Sequence, residues 1–65
     1  MKITLNGAER EITDGCLEQA LRELGYSDAA IATAVNGEFV PKNQRLQIVL
    51  NDGDRLEVVA PMQGG

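Results

Sequence analysis

The sequence predicts an α+β domain of two layers, in which one main helix packs across one face of a mixed sheet of four to five strands. The 65 residues are 43% hydrophobic, which is enough for one core and too few for a second domain. Short segments with strand-like alternation are separated by Asn-Gly and Asp-Gly pairs, which are typical of tight turns. One segment has the 3.6-residue period of an amphipathic helix, and a single helix covers one face of a small sheet.

The first part of the chain is predicted to form a β-hairpin followed by this helix. Residues 2–6 alternate polar and apolar side chains, Asn6-Gly7 tolerates positive φ, and residues 8–12 resume the extended pattern. Asp14, Gly15 and Cys16 precede the helix, and Gly25 favours its end because glycine adopts the left-handed conformation easily. The buried stripe of the helix is predicted to contain Leu17, Ala20, Leu21 and Leu24.

The second part is predicted to contain the remaining strands. Residues 29–35 form one strand, Asn36-Gly37 a turn, and residues 38–40 a short return strand that Pro41 ends. Residues 46–50 and 55–60 read as two further strands around the turn at residues 51–54. The predicted core consists of Ile3, Leu5, Ile12, Leu17, Leu21, Leu24, Val35, Leu46, Ile48, Leu56 and Val58.

Charge and composition lower the expectation for several classes of function. A net charge of −4 disfavours nucleic acid and anionic membranes as partners. The sequence has no histidine, so the commonest metal ligand and general base is absent, and we expect no metal site. The single cysteine, Cys16, cannot form an internal disulfide, and no apolar segment is long enough for a membrane span or a signal peptide. These observations together predict a cytoplasmic protein.

The last residues differ from the rest of the chain. We predict a folded α+β domain over residues 1–61 and a flexible tail over residues 62–65, Met62-Gln63-Gly64-Gly65. Two terminal glycines leave the terminal carboxylate unobstructed by side chains, so the tail can enter a narrow channel. A carboxylate is ionised at neutral pH and is a poor electrophile, so a partner enzyme must activate it. After adenylation, attack by a sulfur nucleophile at the acyl carbon of Gly65 leaves a thiocarboxylate.

Several of these features together resemble the ThiS sulfur carriers of thiamine biosynthesis, which have the ubiquitin-like β-grasp fold. The resemblance is carried by residues 34–42, AVNGEFVPK, by the turn Asp52-Gly53-Asp54, and by the Gly64-Gly65 end. It covers nearly the whole chain. Two positions depart from the family pattern: Cys16 stands where Thr or Ser is common, and Gln63 where small or apolar residues are common.

The resemblance implies a carrier without catalytic activity of its own and without a permanently bound cofactor. A ThiF-type enzyme would adenylate Gly65 with ATP, and a sulfur donor such as a cysteine desulfurase would supply the sulfur. The thiocarboxylate would then donate sulfur to the thiazole synthase ThiG. Gly64, Gln63 and Met62 would occupy the channel of the partner.

Other interpretations of the same residues stay open at this point. The Asp-Gly-Asp turn and the diglycine end also occur in MoaD, the sulfur carrier for molybdopterin, and a ubiquitin-like conjugated modifier or a passive interaction module would share the fold. Val59 is either an exposed partner contact beside the tail or a residue at the edge of the core. Cys16 is either a reactive thiol or a small substitute for a helix cap. A larger set of carboxylates forms either an acidic docking face or an ordinary solvated surface: Glu9, Glu11, Glu38, Asp52, Asp54 and Glu57.

Overall fold

A computed structural model describes residues 1–26 and 30–60, and it confirms the predicted mixed sheet with one α-helix. The described residues form strands β1 (Lys2–Leu5), β2 (Ala8–Glu11), β3 (Ala32–Val35), β4 (Glu38–Val40) and β5 (Arg55–Val59), the helix α1 (Leu17–Glu23), and a 3-10 helix (Lys42–Gln47). The strand order is β2-β1-β5-β3-β4. Strands β1 and β5 are parallel, and the other neighbours are antiparallel. The predicted tail, 62–65, and its boundary at residue 61 lie outside the described residues.

The two Asn-Gly pairs form the predicted hairpin turns. Asn6 and Gly7 have φ of 50° and 86°, and Asn36 and Gly37 have φ of 51° and 86°. Two-residue hairpin turns of type I′ require positive φ at both central positions, where asparagine and glycine are the residues best suited. The turns set the register of β1 with β2 and of β3 with β4. Strand β3 begins at Ala32 rather than at residue 29, and Ala29 itself lies outside the described residues.

Helix α1 ends as the sequence predicts and begins without a side-chain cap. Gly25, at φ 96°, donates its N–H to the carbonyl of Arg22, and Tyr26 donates to that of Leu21. These two bonds form a Schellman motif, which satisfies carbonyls at the end of the helix. At the other end Cys16 is the N-cap residue and makes no capping hydrogen bond through its side chain.

The predicted strand at residues 46–50 is wrong. The chain forms the 3-10 helix up to Gln47 and then a short extended segment with a single bridge, between Val49 and Cys16. The segment pairs with the start of α1 rather than with the sheet: the N–H of Leu17 donates to the carbonyl of Ile48 at 2.9 Å, and the N–H of Leu50 donates to that of Gly15 at 2.6 Å. Gly15 is suited to this contact because a Cβ there would lie 3.0 Å from the carbonyl oxygen of Leu50.

A buried arginine connects the 3-10 helix to the sheet. Arg45 is 6% exposed; its Nη2 donates to the carbonyl of Ile31 at 2.7 Å and its Nε to the Oγ1 of Thr33 at 3.3 Å. The Thr33 hydroxyl in turn donates to the carbonyl of Val40 at 3.0 Å. Hydrogen bonding is what makes burial of a guanidinium tolerable. Because Arg45 faces inward, the neighbouring Leu46 faces outward.

The core agrees with the prediction in most positions. Leu46 is 71% exposed and is not a core residue, whereas Leu50 and Val40 are buried and were not predicted to be. Ala20 is buried, as the predicted helical stripe requires. Three predicted members are half-buried against the core: Leu24, Val35 and Ile48. The other predicted members are buried: Ile3, Leu5, Ile12, Leu17, Leu21, Leu56 and Val58.

Glu23 connects the end of α1 to the loop that precedes it. Its carboxylate accepts from the backbone N–H of Thr13 at 3.0 and 3.1 Å and from the Thr13 hydroxyl at 3.1 Å. The backbone N–H of Thr13, as the largest cause, lowers the pKa of Glu23 from its ordinary value. A carboxyl whose pKa is lowered by folding stabilises the fold above its unfolded pKa, and this contribution is lost as the pH falls through the folded pKa.

We therefore expect Glu23→Gln to destabilise the protein at pH 7 and to have a smaller effect at pH 3. Urea unfolding at the two pH values measures the difference. Glu9→Gln, at an exposed position on β2, is the matched control and is expected to change stability little at either pH. An effect of Glu23→Gln that is the same at pH 3 and pH 7 would contradict the proposed role of the ionised carboxylate.

Candidate functional site

The predicted reactive tail follows β5, so the candidate site begins with the way β5 is held. Strand β5 lies at the centre of the sheet, parallel to β1 on one side and antiparallel to β3 on the other. Leu56 and Val58 are buried on the core side of the sheet, whereas Glu57 and Val59 are exposed on its other face. The strand that leads to the tail is therefore paired along both of its edges.

The side chain of Asn6 holds the end of β5 nearest the tail. Its Nδ2 donates to the carbonyl of Val58 at 3.0 Å, and its Oδ1 accepts from the N–H of Val58 at 2.8 Å. The backbone N–H of Asn6 also donates to the carbonyl of Leu56 at 3.0 Å. The amide continues the pairing of β1 with β5 at the point where the chain of β1 turns away. From the sequence alone, Asn6 is predicted only as a turn residue.

Asn36 performs a similar role at the other end of β5. Its Oδ1 accepts from the N–H of Arg55 at 2.9 Å, its backbone N–H donates to the carbonyl of Arg55 at 2.8 Å, and its Nδ2 donates to Oδ1 of Asp54 at 3.1 Å. Each of the two hairpin turns thus contributes an asparagine side chain to β5. The signal that sequence reasoning missed is that both turns have asparagine, which carries an amide, at the first position.

We expect Asn6→Gly to loosen the end of β5 while preserving the turn. Glycine keeps the positive φ and removes only the amide, so the expected loss is about 1–3 kcal/mol of unfolding free energy. Amide hydrogen exchange checks the location, because protection of Val58 should fall. Asn36→Gly is the matched variant and should reduce protection at Arg55 instead. Equal loss of protection at Val58 and Arg55 in both variants would show that the two amides do not act locally.

The strand register places four apolar side chains on the outer face of the sheet, the face opposite α1. Val59 is paired with Ala32, and Ala34 lies between Glu57 of β5 and Phe39 of β4. Phe39 is 67% exposed and Val59 63% exposed. We call this surface the outer patch; its residues are Ala32, Ala34, Phe39 and Val59. Exposed apolar surface of this kind is typical of protein interaction sites. Of the two alternatives for Val59, the structure shows the exposed one, and its contact with a partner stays a prediction.

The sheet brings together only some of the carboxylates that were considered for an acidic docking face. Glu9 and Glu11 lie on the outer face opposite Thr4 and Lys2, and Glu57 lies opposite Ala34. The Met1 ammonium pairs with Glu11 at 3.5 Å.

The two aspartates of the Asp-Gly-Asp turn have structural roles instead. The N–H of Lys2 donates to Oδ1 of Asp52 at 2.8 Å, and the N–H of Asn51 donates to Oδ2 of Asp54 at 2.8 Å. Gly53, at φ 89°, donates its own N–H to the carbonyl of Lys2. This turn therefore fixes the chain immediately before β5.

The remaining predicted site residues are placed as follows. Met62, Gln63, Gly64 and Gly65 lie outside the described residues, so their roles stay predictions. Cys16 is half-buried, and its Sγ lies 3.8 Å from the carbonyl oxygen of Leu46. Within residues 1–26 and 30–60, no three or more Cys, Asp or Glu side chains are grouped so that they would hold a metal ion. The same described ranges contain no helix with the length and hydrophobicity needed to cross a membrane.

Comparison with known proteins identifies the family. The family model described as ThiS family matches residues 3–65. The chain is 36% identical over 63 residues to a sulfur carrier protein ThiS of Thermus thermophilus, and the match covers 97% of this chain and 98% of that protein. The crystal structure of a thiamine biosynthesis protein, ThiS, from Geobacter metallireducens superimposes with a TM-score of 0.84 at 25% identity and covers 100% of both chains.

A second relative is a much longer protein. The chain is 42% identical over 66 residues to a thiazole synthase of Paramagnetospirillum magneticum, and the match covers 100% of this chain and 20% of that protein. The chain thus spans about a fifth of the length of this relative. In that protein, the region similar to this chain makes up about one fifth of the polypeptide. The other four fifths lie outside the match.

Proposed function

This chain belongs to the ThiS family, and on that premise we propose that it is a sulfur carrier protein for thiazole formation in thiamine biosynthesis. The observation that carries the proposal is the match to a sulfur carrier protein of nearly equal length, together with a family match that extends to Gly65. The chain would act as a protein cosubstrate of partner enzymes. We propose the cytoplasm as its location, because ATP and reduced sulfur are available there and the chain has a single cysteine.

The proposed chemistry takes place at the terminal carboxylate of Gly65. A carboxylate oxygen attacks the α-phosphorus of ATP, pyrophosphate leaves, and an acyl adenylate forms. A hydrosulfide equivalent then attacks the acyl carbon, the C–O bond to AMP breaks, and AMP leaves with the bonding electrons. The product is a thiocarboxylate, whose sulfur is the group to be transferred. Without adenylation the ionised carboxylate resists nucleophilic attack, which is why ATP is consumed.

The fold supports this chemistry by holding the root of the tail. Both edges of β5 are paired, and the Asn6 amide closes the last pairing at Val58, so the tail leaves from a fixed point. The outer patch adjoins this point through Val59 and offers the partner a surface on which to dock.

We propose two successive enzyme partners, a ThiF-type adenylating enzyme and the thiazole synthase ThiG. A cysteine desulfurase is the proposed source of sulfur; a thiol releases its persulfide sulfur as hydrosulfide and is itself oxidised to a disulfide. Support for the synthase comes from the relative named thiazole synthase, in which a region 42% identical to this chain is part of the synthase polypeptide. The tail can enter one active site at a time, so the two enzymes must act in sequence.

Intact-mass analysis tests the proposal. The protein is incubated with ATP, a sulfide source and a ThiF-type enzyme, and the modified residue is located by fragmentation. Replacement of one oxygen by sulfur at Gly65, stable to thiol reductants, is the expected result. An unchanged C-terminus with a reducible sulfur on Cys16 would contradict it. Transfer of the sulfur to a molybdopterin precursor, with none to the thiazole product, would assign the chain to the MoaD type of pathway instead.

A further inference from the structure

We propose that Glu57 is the charged recognition point for the enzyme that adenylates the tail, and that this enzyme places a lysine or arginine side chain against it. This inference rests on the proposed function, because it concerns the partner that holds the tail. It specifies the chemistry of that partner's surface, which is apolar around a basic group.

Glu57 lies beside the outer patch and, along the chain, shortly before the predicted tail. On β5 it is two residues before Val59 and on the same face, which places the two side chains about 7 Å apart. Across the sheet it is opposite Ala34, whose other neighbour is Phe39. An enzyme that covers Val59 and Phe39 in order to hold the tail therefore covers Glu57 as well.

No cation of the chain itself neutralises Glu57. All six lysine and arginine side chains belong to residues that the structure describes, and none forms an ion pair with Glu57 within 4.0 Å. In the free protein this is tolerable, because the exposed carboxylate is hydrated. Once a partner covers it, the lost hydration must be replaced by a positive group, since a buried unpaired charge is strongly unfavourable.

The surface next to Glu57 has space for such a group. A depression of about 230 Å³ lies on the side of β5 that faces β1, and its lining is Thr4, Asn6, Gly7, Arg55, Leu56 and Glu57. Arg55 also lines the depression, two residues before Glu57, so the proposed partner cation would approach from the Glu57 end.

The test is the dependence of adenylation on the charge at residue 57. ATP–pyrophosphate exchange by a ThiF-type enzyme is measured against the concentration of the full-length carrier. Glu57→Gln is expected to raise the KM for the carrier several-fold and Glu57→Lys by more than about tenfold, while kcat stays within about twofold. Glu18→Lys on α1 changes the net charge by the same amount on the opposite side of the sheet and is expected to leave KM within about twofold. Thermal unfolding checks that each variant is folded.

The variant Arg55→Gln tests whether the charge supplied by the partner is positive or negative. If the partner supplies a cation, removing Arg55 takes away a like charge and should lower KM. A raised KM in Arg55→Gln together with an unchanged KM in Glu57→Gln would overturn the proposal in favour of an acidic partner group. An equal KM for Glu57→Lys and Glu18→Lys would also overturn it. Failure of the wild-type protein to support any exchange would refute the proposed function itself, so the two failures are distinguishable.

Discussion

Deletion of Gly65 is expected to abolish formation of the thiocarboxylate, with a loss of at least about a hundredfold in adenylation rate and no loss of folding. The deletion leaves a glycine carboxylate at the end of the chain, so the chemistry of the group is unchanged. Its reach is shortened by about 3.5 Å, which places the carboxylate outside attacking distance of ATP in the partner. The measurement is ATP–pyrophosphate exchange together with intact mass after incubation with sulfide.

Gly65→Ala provides the complementary variant, because it keeps the length of the tail and adds one methyl group at its tip. Because the added methyl group acts at the tip inside a narrow channel, we expect this variant to lose activation as well, and activity close to that of the wild type would contradict the role given to the tail. Neither change touches the described sheet, which ends at Val59, so both proteins should unfold at the wild-type temperature. Loss of folding in both variants, or full activity of the protein that lacks Gly65, would contradict the role given to the tail.

Leu50→Ala is expected to destabilise the protein by about 3 kcal/mol, whereas Leu46→Ala should have almost no effect. The two leucines are four residues apart in one segment, but Leu50 is 0% exposed and Leu46 is 71% exposed. Truncation of Leu50 removes buried apolar contacts and leaves a cavity, and truncation of Leu46 exposes little that water did not already reach. A domain of this size has a total stability of about 3–10 kcal/mol, so the first change is a large part of the whole.

Thermal and urea unfolding measure the two leucine variants. A loss of 3 kcal/mol corresponds to a fall in melting temperature on the order of 15 °C for a chain of this length. Because both variants replace a leucine by alanine within the same segment, they differ mainly in the burial of the residue that is changed. Equal destabilisation by both substitutions would indicate that residues 46–50 pack as the strand that the sequence pattern predicted.

The features of the candidate site that could be predicted from the sequence are those set by the order of residues along the chain. The diglycine end with its terminal carboxylate is visible in the sequence. The alternation along the last strand left Val59 open between an exposed contact and an edge-of-core residue. The roles of Asn6 and Asn36 were not predictable, because a turn residue is explained by its own φ and nothing local shows that its amide reaches β5. The outer patch was also missed, since Phe39 and Val59 become neighbours only through strand pairing.

By itself the sequence determined the local elements of this protein: both Asn-Gly hairpins and the amphipathic helix with its Gly25 end. The chemistry of the tail, also inferred from the sequence, stays a prediction. The local elements depend on backbone preferences and on periodicity over a few residues, which each segment carries independently. The tertiary structure decided residues 42–50, where alternating apolar residues suit a strand but the burial of Arg45 and the pairing with the start of α1 take them out of the sheet. It also decided which exposed groups share a surface, because long-range pairing of β5 with β1 and β3 joins residues that are far apart in the chain.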